Sequence, residues 1–360
     1  MAPYGQVVAG VAVDAIKRVV GTCSLDDIRI ISRPGGTLDD IKILEGLALK
    51  QGSNRKALGP TRIEKARIAL CQFCLSAPKT DLDNQVVITD YAQMDRILKE
   101  ERLYIAALCK KIKKAGANVL LIQKSILRDA VSELALHYLA KMKIMVVDGV
   151  ERDEIEFLAR GLGCRPIADI EGMTEEKLGT AEFVEDLDEH KLVLISGVKT
   201  PPAKPTVSIL CRGASKEVAE EAERSLHDAL CVLRCLHRRP ALIAGGGVPE
   251  LALSIALDRR SKELTGSKAL CFSAFAEALL AIPTVLAENA GMDPLSTVTK
   301  LRALHAQGKN TQGVNVRRGE PGDMKEEGVL QPLLVSLSAL QLATESVCMI
   351  LKIDDIIEGH

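Results

Sequence analysis

Tryptophan is absent from this sequence, and only five phenylalanines and four tyrosines occur in 360 residues. Cores must therefore be built from Leu, Ile, Val and Ala, and an aromatic platform for stacking bases is not expected. Net charge is nearly absent too, with 47 Lys and Arg against 48 Asp and Glu. That balance argues against nucleic acid or an anionic membrane as a partner. No uninterrupted apolar run of ~18 residues is visible, so no membrane span is predicted. The opening MAPYGQVVAGVAVDAIKRVV carries Asp14 and no cationic leader, and reads as an amphipathic helix rather than a targeting segment. The six histidines show no ligand spacing, and the GxxxxGK[ST], GxSxG and HExxH patterns are missing. No metal site is expected within this chain.

Ten cysteines are present, scattered rather than clustered. In a chain of this length they read as reduced thiols of a cytoplasmic protein. Cys71 and Cys74 have the spacing of half a zinc or redox motif, but no second pair follows, and structural thiols are the simpler reading. Cys231 and Cys235, one helical turn apart, are read as core.

Residues 3–20 read as one helix ended by Gly21. From 26 to 50, strand-like runs flank a turn at Pro34, Gly35 and Gly36, and 66–78 is a further strand candidate. A helix follows, with Asp90 as N-cap and Gln93 as capping partner. Its Met94, Ile97, Ile105, Leu108 and Ile112 fall on one face. Then NVLLIQK, a helix capped by Ser125 and running to about 141, IMVVD, the helix ERDEIEFLARGL and the strand RPIADI alternate. That alternation predicts a parallel α/β layer. Ser215 is read as the cap of a long helix over 216–238, and the chain beyond Pro249 as mostly helical.

Two places attract chemical attention. Asp228 lies on the long helix where a polar face meets one that looks buried. A carboxylate there can orient a water or a metal, and equally suits a solvated helix position. His227 is its sequence neighbour but is expected on another face, so the two are not read as a pair. In ALIAGGGVPELAL, residues 241–253, Gly245, Gly246 and Gly247 separate an apolar run from a helix that Pro249 suits at its start. Backbone amides and the positive dipole end at such a loop favour phosphate. A tight turn with close helix packing explains the same glycines.

The blocks EEAERSLHDAL, ALIAGGGVPE, LAENAGMDPLSTV, GVNVRRGE, EEGVLQPLLV and ILKIDDII occur in that order. With CQFCLSAPKTDLDNQVVITDYAQMDRILKEER and IQKSILRDAVSELALHYLAKMKIMVV, they resemble the subunits of group II chaperonins, in particular the eukaryotic cytosolic chaperonin (TRiC/CCT). The likeness runs from about residue 3 to the end. It implies an α/β and α multidomain chain. Residues 1–25 would be an incoming helix of an intermediate domain. Residues 26–205 would be an α/β apical, client-binding domain with a helical protrusion near 80–98. Residues 206–238 would return through the helical intermediate domain, and 239–360 would be the C-terminal, mostly helical part of a nucleotide-binding equatorial domain.

The resemblance further implies an ATP-dependent subunit that folds non-native clients, of actin or tubulin type, in a hetero-oligomeric double ring with other subunits. Asp228 matches the aspartate that orients the attacking water. Gly245, Gly246 and Gly247 match the glycines lining the nucleotide, and Gly313 the glycine beside base and ribose. Gln331 stands where many relatives carry an acidic residue toward the ribose. Leu127, Arg128, Val131, Leu134 and Tyr138 would contact clients, although the apolar ones also suit packing on the sheet. The family's Gly-Asp-Gly-Thr-Thr, Leu-Gly-Pro-Lys-Gly and Asn-Asp-Gly motifs do not occur here. The ligands of Mg2+ are expected in the segment that carries them. A nucleotide-independent client-binding module therefore stands as the alternative, and an unrelated α/β metabolic enzyme as a remote one.

Overall fold

The computed structural model describes residues 2–19, 21, 24–77, 91–125, 129–187, 192–198, 205–355 and 357. The chain divides into two compact units, Met1–Cys231 and Val232–His360.

Unit 1 begins with helix α1 (Gly5–Arg18), whose Val8, Ala12, Ala15 and Ile16 are buried at helical spacing. Strands β1 (Ile28–Pro34), β2 (Lys42–Leu44), β3 (Leu47–Leu49) and β4 (Arg62–Cys71) follow. Then come α2 (Tyr91–Lys114), β5 (Val119–Gln123), α3 (Glu133–Lys141), β6 (Met145–Val150) and α4 (Arg152–Leu162). Strands β7 (Gly179–Leu187), β8 (Leu192–Val198) and β9 (Val207–Gly213) lead into α5 (Lys216–Arg238), which runs past the division at Cys231.

A six-stranded sheet in the order β3-β8-β7-β4-β5-β6 forms the centre of this unit. Its β4-β5-β6 half is parallel, the β5–β6 pairing as the alternation predicts and the β4–β5 pairing outside that alternation, while β3, β8, β7 and β4 pair antiparallel. Successive residues of a strand face opposite sides. Ile68, Leu70, Val119 and Leu121 accordingly enter one core with Ile155, Leu158 and Leu162 of α4. Ala69, Cys71, Leu120 and Ile122 enter the other, with Ile105, Leu108 and Ile112 of α2 and Ala135, Leu136 and Leu139 of α3. A smaller sheet, β1-β9-β2, pairs β1 with β9 in parallel.

Three expectations change here. RPIADI is not a strand: Ile167 makes a single bridge to Cys71, and a 3-10 turn follows at Ile170–Gly172. The helix expected from Ser125 starts at Glu133, because Val131 is held in an extended bridge to Leu75 and Ser132 caps the helix by accepting the Ala135 amide at 3.2 Å. The apolar stripe on α2 packs only in its second half, since Met94 and Ile97 are exposed while Ile105, Leu108 and Ile112 are buried. Asp90, and the protrusion as far as residue 90, lie outside the described residues.

Unit 2 contains β10 (Leu242–Ala244), α6 (Val248–Ser261), α7 (Ser267–Leu279), α8 (Ala281–Asn289) and α9 (Pro294–Ala306). The hairpin β11 (Gln312–Asn315) and β12 (Glu320–Asp323), then β13 (Leu330–Pro332) and α10 (Leu333–Ile350), complete it. Strand β13 pairs antiparallel with β10. Among the described residues, a small core cluster of this unit is built on Leu251, Ala287, Leu301 and Val314.

Helix α10 buries none of its side chains. Contrary to the expectation of no span, Ser267–Asn289 and Leu333–Ile350 are each long and apolar enough to cross a membrane by length and composition. Isolated charges, such as Glu277 and Glu345, interrupt these stretches without making them polar. Length and composition alone do not separate a membrane helix from one that a protein surface covers.

Candidate functional site

The glycine loop is the hub of unit 2. Leu242–Ala244 is too short a strand to turn gradually, so the chain reverses at once into α6. Gly246 and Gly247 have φ of +67° and +79°, left-handed angles that a side chain disfavours, and Gly247 is the N-cap of α6. Close approach uses the same freedom. A Cβ on Gly246 would lie 2.7 Å from Met324 Sδ, and one on Gly247 would lie 2.9 Å from Pro283 Cβ. Gly313 is equally confined, with Met324 Cγ and Val248 Cγ2 both 2.8 Å from where its Cβ would sit. The first neighbours of these glycines are thus the chain's own hairpin and α8.

A cleft of about 500 Å³ opens beside them, lined by Gly246, Gly247, Glu250, Asn315, Arg317 and Gln331 among others. That volume suits a small organic ligand. Gln331 Nε2 donates to Ser336 Oγ at 2.7 Å, and Ser336 Oγ donates to Glu250 Oε1 at 3.3 Å. Gln331 and the buried Glu250 are thereby joined through one hydroxyl. Asn315 is 5 % exposed, and its Oδ1 accepts the amides of Arg317 and Arg318 at 3.0 and 3.2 Å. Its Nδ2 is buried with no hydrogen-bond partner among the described residues. An amide donor left in that state is costly unless something accepts from it.

The fold therefore gathers Gly246, Gly247 and Gln331 around one opening. Gly313 packs behind Gly246, and Gly245 donates its amide to the Val329 carbonyl at 3.0 Å. Glu250, Asn315 and Ser336 were not singled out by sequence. A readable local signal existed for Glu250, an acid in the first turn of a glycine-capped helix. Asn315 has no such signal, since its burial depends on the hairpin closing.

Asp228 belongs to unit 1 and lines a different cleft, with Ile30, Glu217, Glu221, Arg224 and His227. Ser215 caps α5 as expected, accepting the Val218 amide at 3.3 Å. The buried stripe of α5 in this unit is Ala219, Ala222, Leu226 and Leu230, while Val218 is exposed. The face of Asp228 is open: its side chain is 85 % exposed. His227 is nearer than expected, its Nδ1 4.0 Å from Asp228 Oδ1, because both side chains are solvent-facing and lean together. Cys231 and Cys235 are half-exposed rather than core. Cys71 is buried, which pushes its thiol up to about 12 and away from the thiolate that a metal needs.

Of the client-contact candidates, Val131 is buried, and Leu134 and Tyr138 are half-buried against the α2–α3 core. Leu127 and Arg128 lie outside the described residues. No group of three His, Cys, Asp or Glu that could hold a metal ion occurs among the described residues.

Residues 2–360 match the model of the TCP-1/cpn60 chaperonin family. Among curated proteins, T-complex protein 1 subunit delta of Schizosaccharomyces pombe is 57 % identical over 360 residues, covering 98 % of this chain and 68 % of that protein. The Homo sapiens subunit delta is 53 % identical over 362 residues, covering 98 % and 66 %. The chain thus spans about two thirds of the length of these relatives. A solved open-state monomer of a group II chaperonin from Methanococcoides burtonii superimposes with a TM-score of 0.70 at 29 % identity, covering 98 % of this chain and 81 % of that one.

Proposed function

The chain belongs to the TCP-1/cpn60 chaperonin family, and from that premise we propose that it serves as a subunit of an ATP-driven protein-folding particle. On this reading it works in the cytosol, in a hetero-oligomeric double ring with other subunits, on non-native clients of the actin or tubulin kind. Residues 26–205 form the apical domain with its protrusion near 80–98. Residues 1–25 and 206–238 form the intermediate domain, and 239–360 form part of the equatorial domain.

The observation that carries the nucleotide reading is the cleft bordered by Gly246, Gly247 and Gln331, where the glycine loop opens helix α6. Helix α6 begins at the same opening, where first-turn amides lack intrahelical partners and favour an anion. Gly245 and Gly313 would support the cleft from behind. Asp228, exposed on α5, would orient the water that attacks the terminal phosphate. Mg2+ would be held by residues of the motifs this sequence does not contain. Nucleotide would drive the cycle by binding one conformation of the subunit better than another. Client contact would fall to Leu127 and Arg128 together with the half-buried Leu134 and Tyr138, and to Val131 once the apical surface opens.

Replacing Asp228 with Ala in the assembled particle tests this. ATP binding should persist while turnover at that subunit falls by about a hundredfold, the usual scale for losing such a group. Unchanged turnover sinks the assignment. The second reading is client capture without hydrolysis by the apical part of the chain. It gains if the purified chain holds unfolded protein equally well with and without ATP.

A further inference from the structure

The cleft of unit 2 contains a hydrogen-bond chain with a fixed direction. Pairing of β13 with β10 sets the Gln331 backbone opposite Ile243, just ahead of the glycine loop. Glu250 sits in the first turn of α6 and is 6 % exposed. A helix N-terminus favours negative charge there. Ser336 on α10 bridges the two, its Oγ 2.7 Å from Gln331 Nε2 and 3.3 Å from Glu250 Oε1.

A carboxylate accepts hydrogen bonds and has no proton to give. The Ser336 hydroxyl has one proton, and Glu250 draws it. What the hydroxyl then offers Gln331 is a lone pair, so the amide must turn its NH2 group toward Ser336. The carbonyl end, Oε1, is left on the side of the glycine loop, 3.8 Å from where a Cβ on Gly245 would sit. A glutamine without these contacts could present either end of its amide. Here it is held in one sense, as an acceptor, at an opening that Gln331 and Glu250 both line. An acceptor so placed suits an O–H group of a ligand. A carboxylate at 331 would instead share one hydroxyl proton with the buried Glu250, and one of the two acids would lack its donor.

We propose that Ser336 and Glu250 are positioning residues, which hold Gln331 Oε1 as the acceptor for a sugar hydroxyl of the bound nucleotide. This rests on the nucleotide reading of the cleft and adds to it which part of the ligand Gln331 selects.

The test is calorimetric titration of the purified full chain with ATP and with 2′,3′-dideoxy-ATP, which lacks both sugar hydroxyls. Wild type should bind ATP roughly three- to tenfold more tightly, the usual worth of one neutral hydrogen bond. Ser336→Ala should bring that ratio close to one, because the amide of Gln331 is no longer held. Glu250→Ala, which removes the group that draws the hydroxyl proton, should lower it too. Ser336→Thr keeps the hydroxyl and should keep the ratio. Gln331→Met removes the acceptor itself, and adding Ser336→Ala to it should change the ratio no further. A purely structural role would weaken both nucleotides alike and leave the ratio unmoved. Full discrimination in Ser336→Ala or Glu250→Ala overturns the proposal, as does its loss in Ser336→Thr. Equal binding of the two nucleotides by wild type also overturns it, while leaving the nucleotide reading in place. Absence of binding by wild type overturns both.

Discussion

The carbonyl of Gly246 accepts the amide of Val314 at 3.0 Å, tying the glycine loop to the hairpin strand β11. The absence of a side chain on Gly246 is what lets Met324 close over this bond. Substituting Ala at 246 meets both a left-handed backbone angle and a 2.7 Å contact with Met324 Sδ. We expect Gly246→Ala to cost about 1–3 kcal/mol in the unfolding of unit 2, measured by chemical denaturation. Gly245→Ala faces only the Val329 methyl at 3.0 Å, without a positive φ, and should cost less. The opposite order would contradict this account of the loop.

Arg29 on β1 reaches across unit 1 to Glu154 on α4, with Nη2 2.9 Å from Oε1. Glu154 is 2 % exposed. Removing the arginine leaves a carboxylate buried without its cation. Arg29→Met should destabilise unit 1 by about 3 kcal/mol, whereas Arg29→Met with Glu154→Leu should recover much of that loss. A thermal melt of the single and double variants decides it. No recovery in the double variant would mean that the arginine acts through packing of its stem.

Burial raises the thiols of Cys71 and Cys211 to about 12 and those of Cys109 and Cys164 to about 11, from an ordinary value of 9.0. The folded protein therefore holds these protons at pH values where the unfolded chain releases them. Stability is fully present below pH 9.0 and falls as pH rises through 11 to 12. In the native state at pH 8, iodoacetamide should label the exposed Cys271 and Cys348 first. Cys71 and Cys211 should react only after denaturant is added. Early labelling of Cys71, read by peptide mass spectrometry, would contradict its burial.

The two units differ in how much they bury. Both faces of the unit 1 sheet are covered, whereas α10 contributes nothing to a core. Hydrogen exchange of the isolated chain should therefore be slowest in β4 and β5 and fastest in α7 and α10. Strong protection of α10 would show that its apolar surface finds a cover in solution.

Local signals in the sequence carried far. Ser215 as a cap, the parallel pairing of β5 with β6 and the glycine turn into α6 were readable from spacing and residue type, and the family likeness from whole blocks of sequence in a set order. Ser132 was the true cap of α3 and lay in plain view, but the apolar residues before it imitated a longer helix, and the bridge from Val131 to Leu75 holds Val131 extended just ahead of the cap. RPIADI had the composition of a strand, yet it meets the sheet only through the single bridge of Ile167 to Cys71. The chain from Gln331 through Ser336 to Glu250 was hidden because Glu250 and Ser336 stand 86 residues apart. The approach of His227 to Asp228 was missed because helical geometry fixes Cβ directions, not where exposed side-chain ends settle.

Strand β1 pairs with β9 in register from Ile28 with Val207 to Pro34 with Gly213. On a ribosome, the first of these strands emerges ~180 residues before its partner exists. At about 5–20 residues per second, β1 waits roughly 10–35 s. The six-stranded sheet has time to assemble in that interval as an insertion, with α1 and β1 held open on its N-terminal side. Arrival of β9 then clasps the two ends of the insertion together. A nascent chain stalled just short of Val207 should accordingly be protease-resistant in its sheet and still cleavable near Ile28.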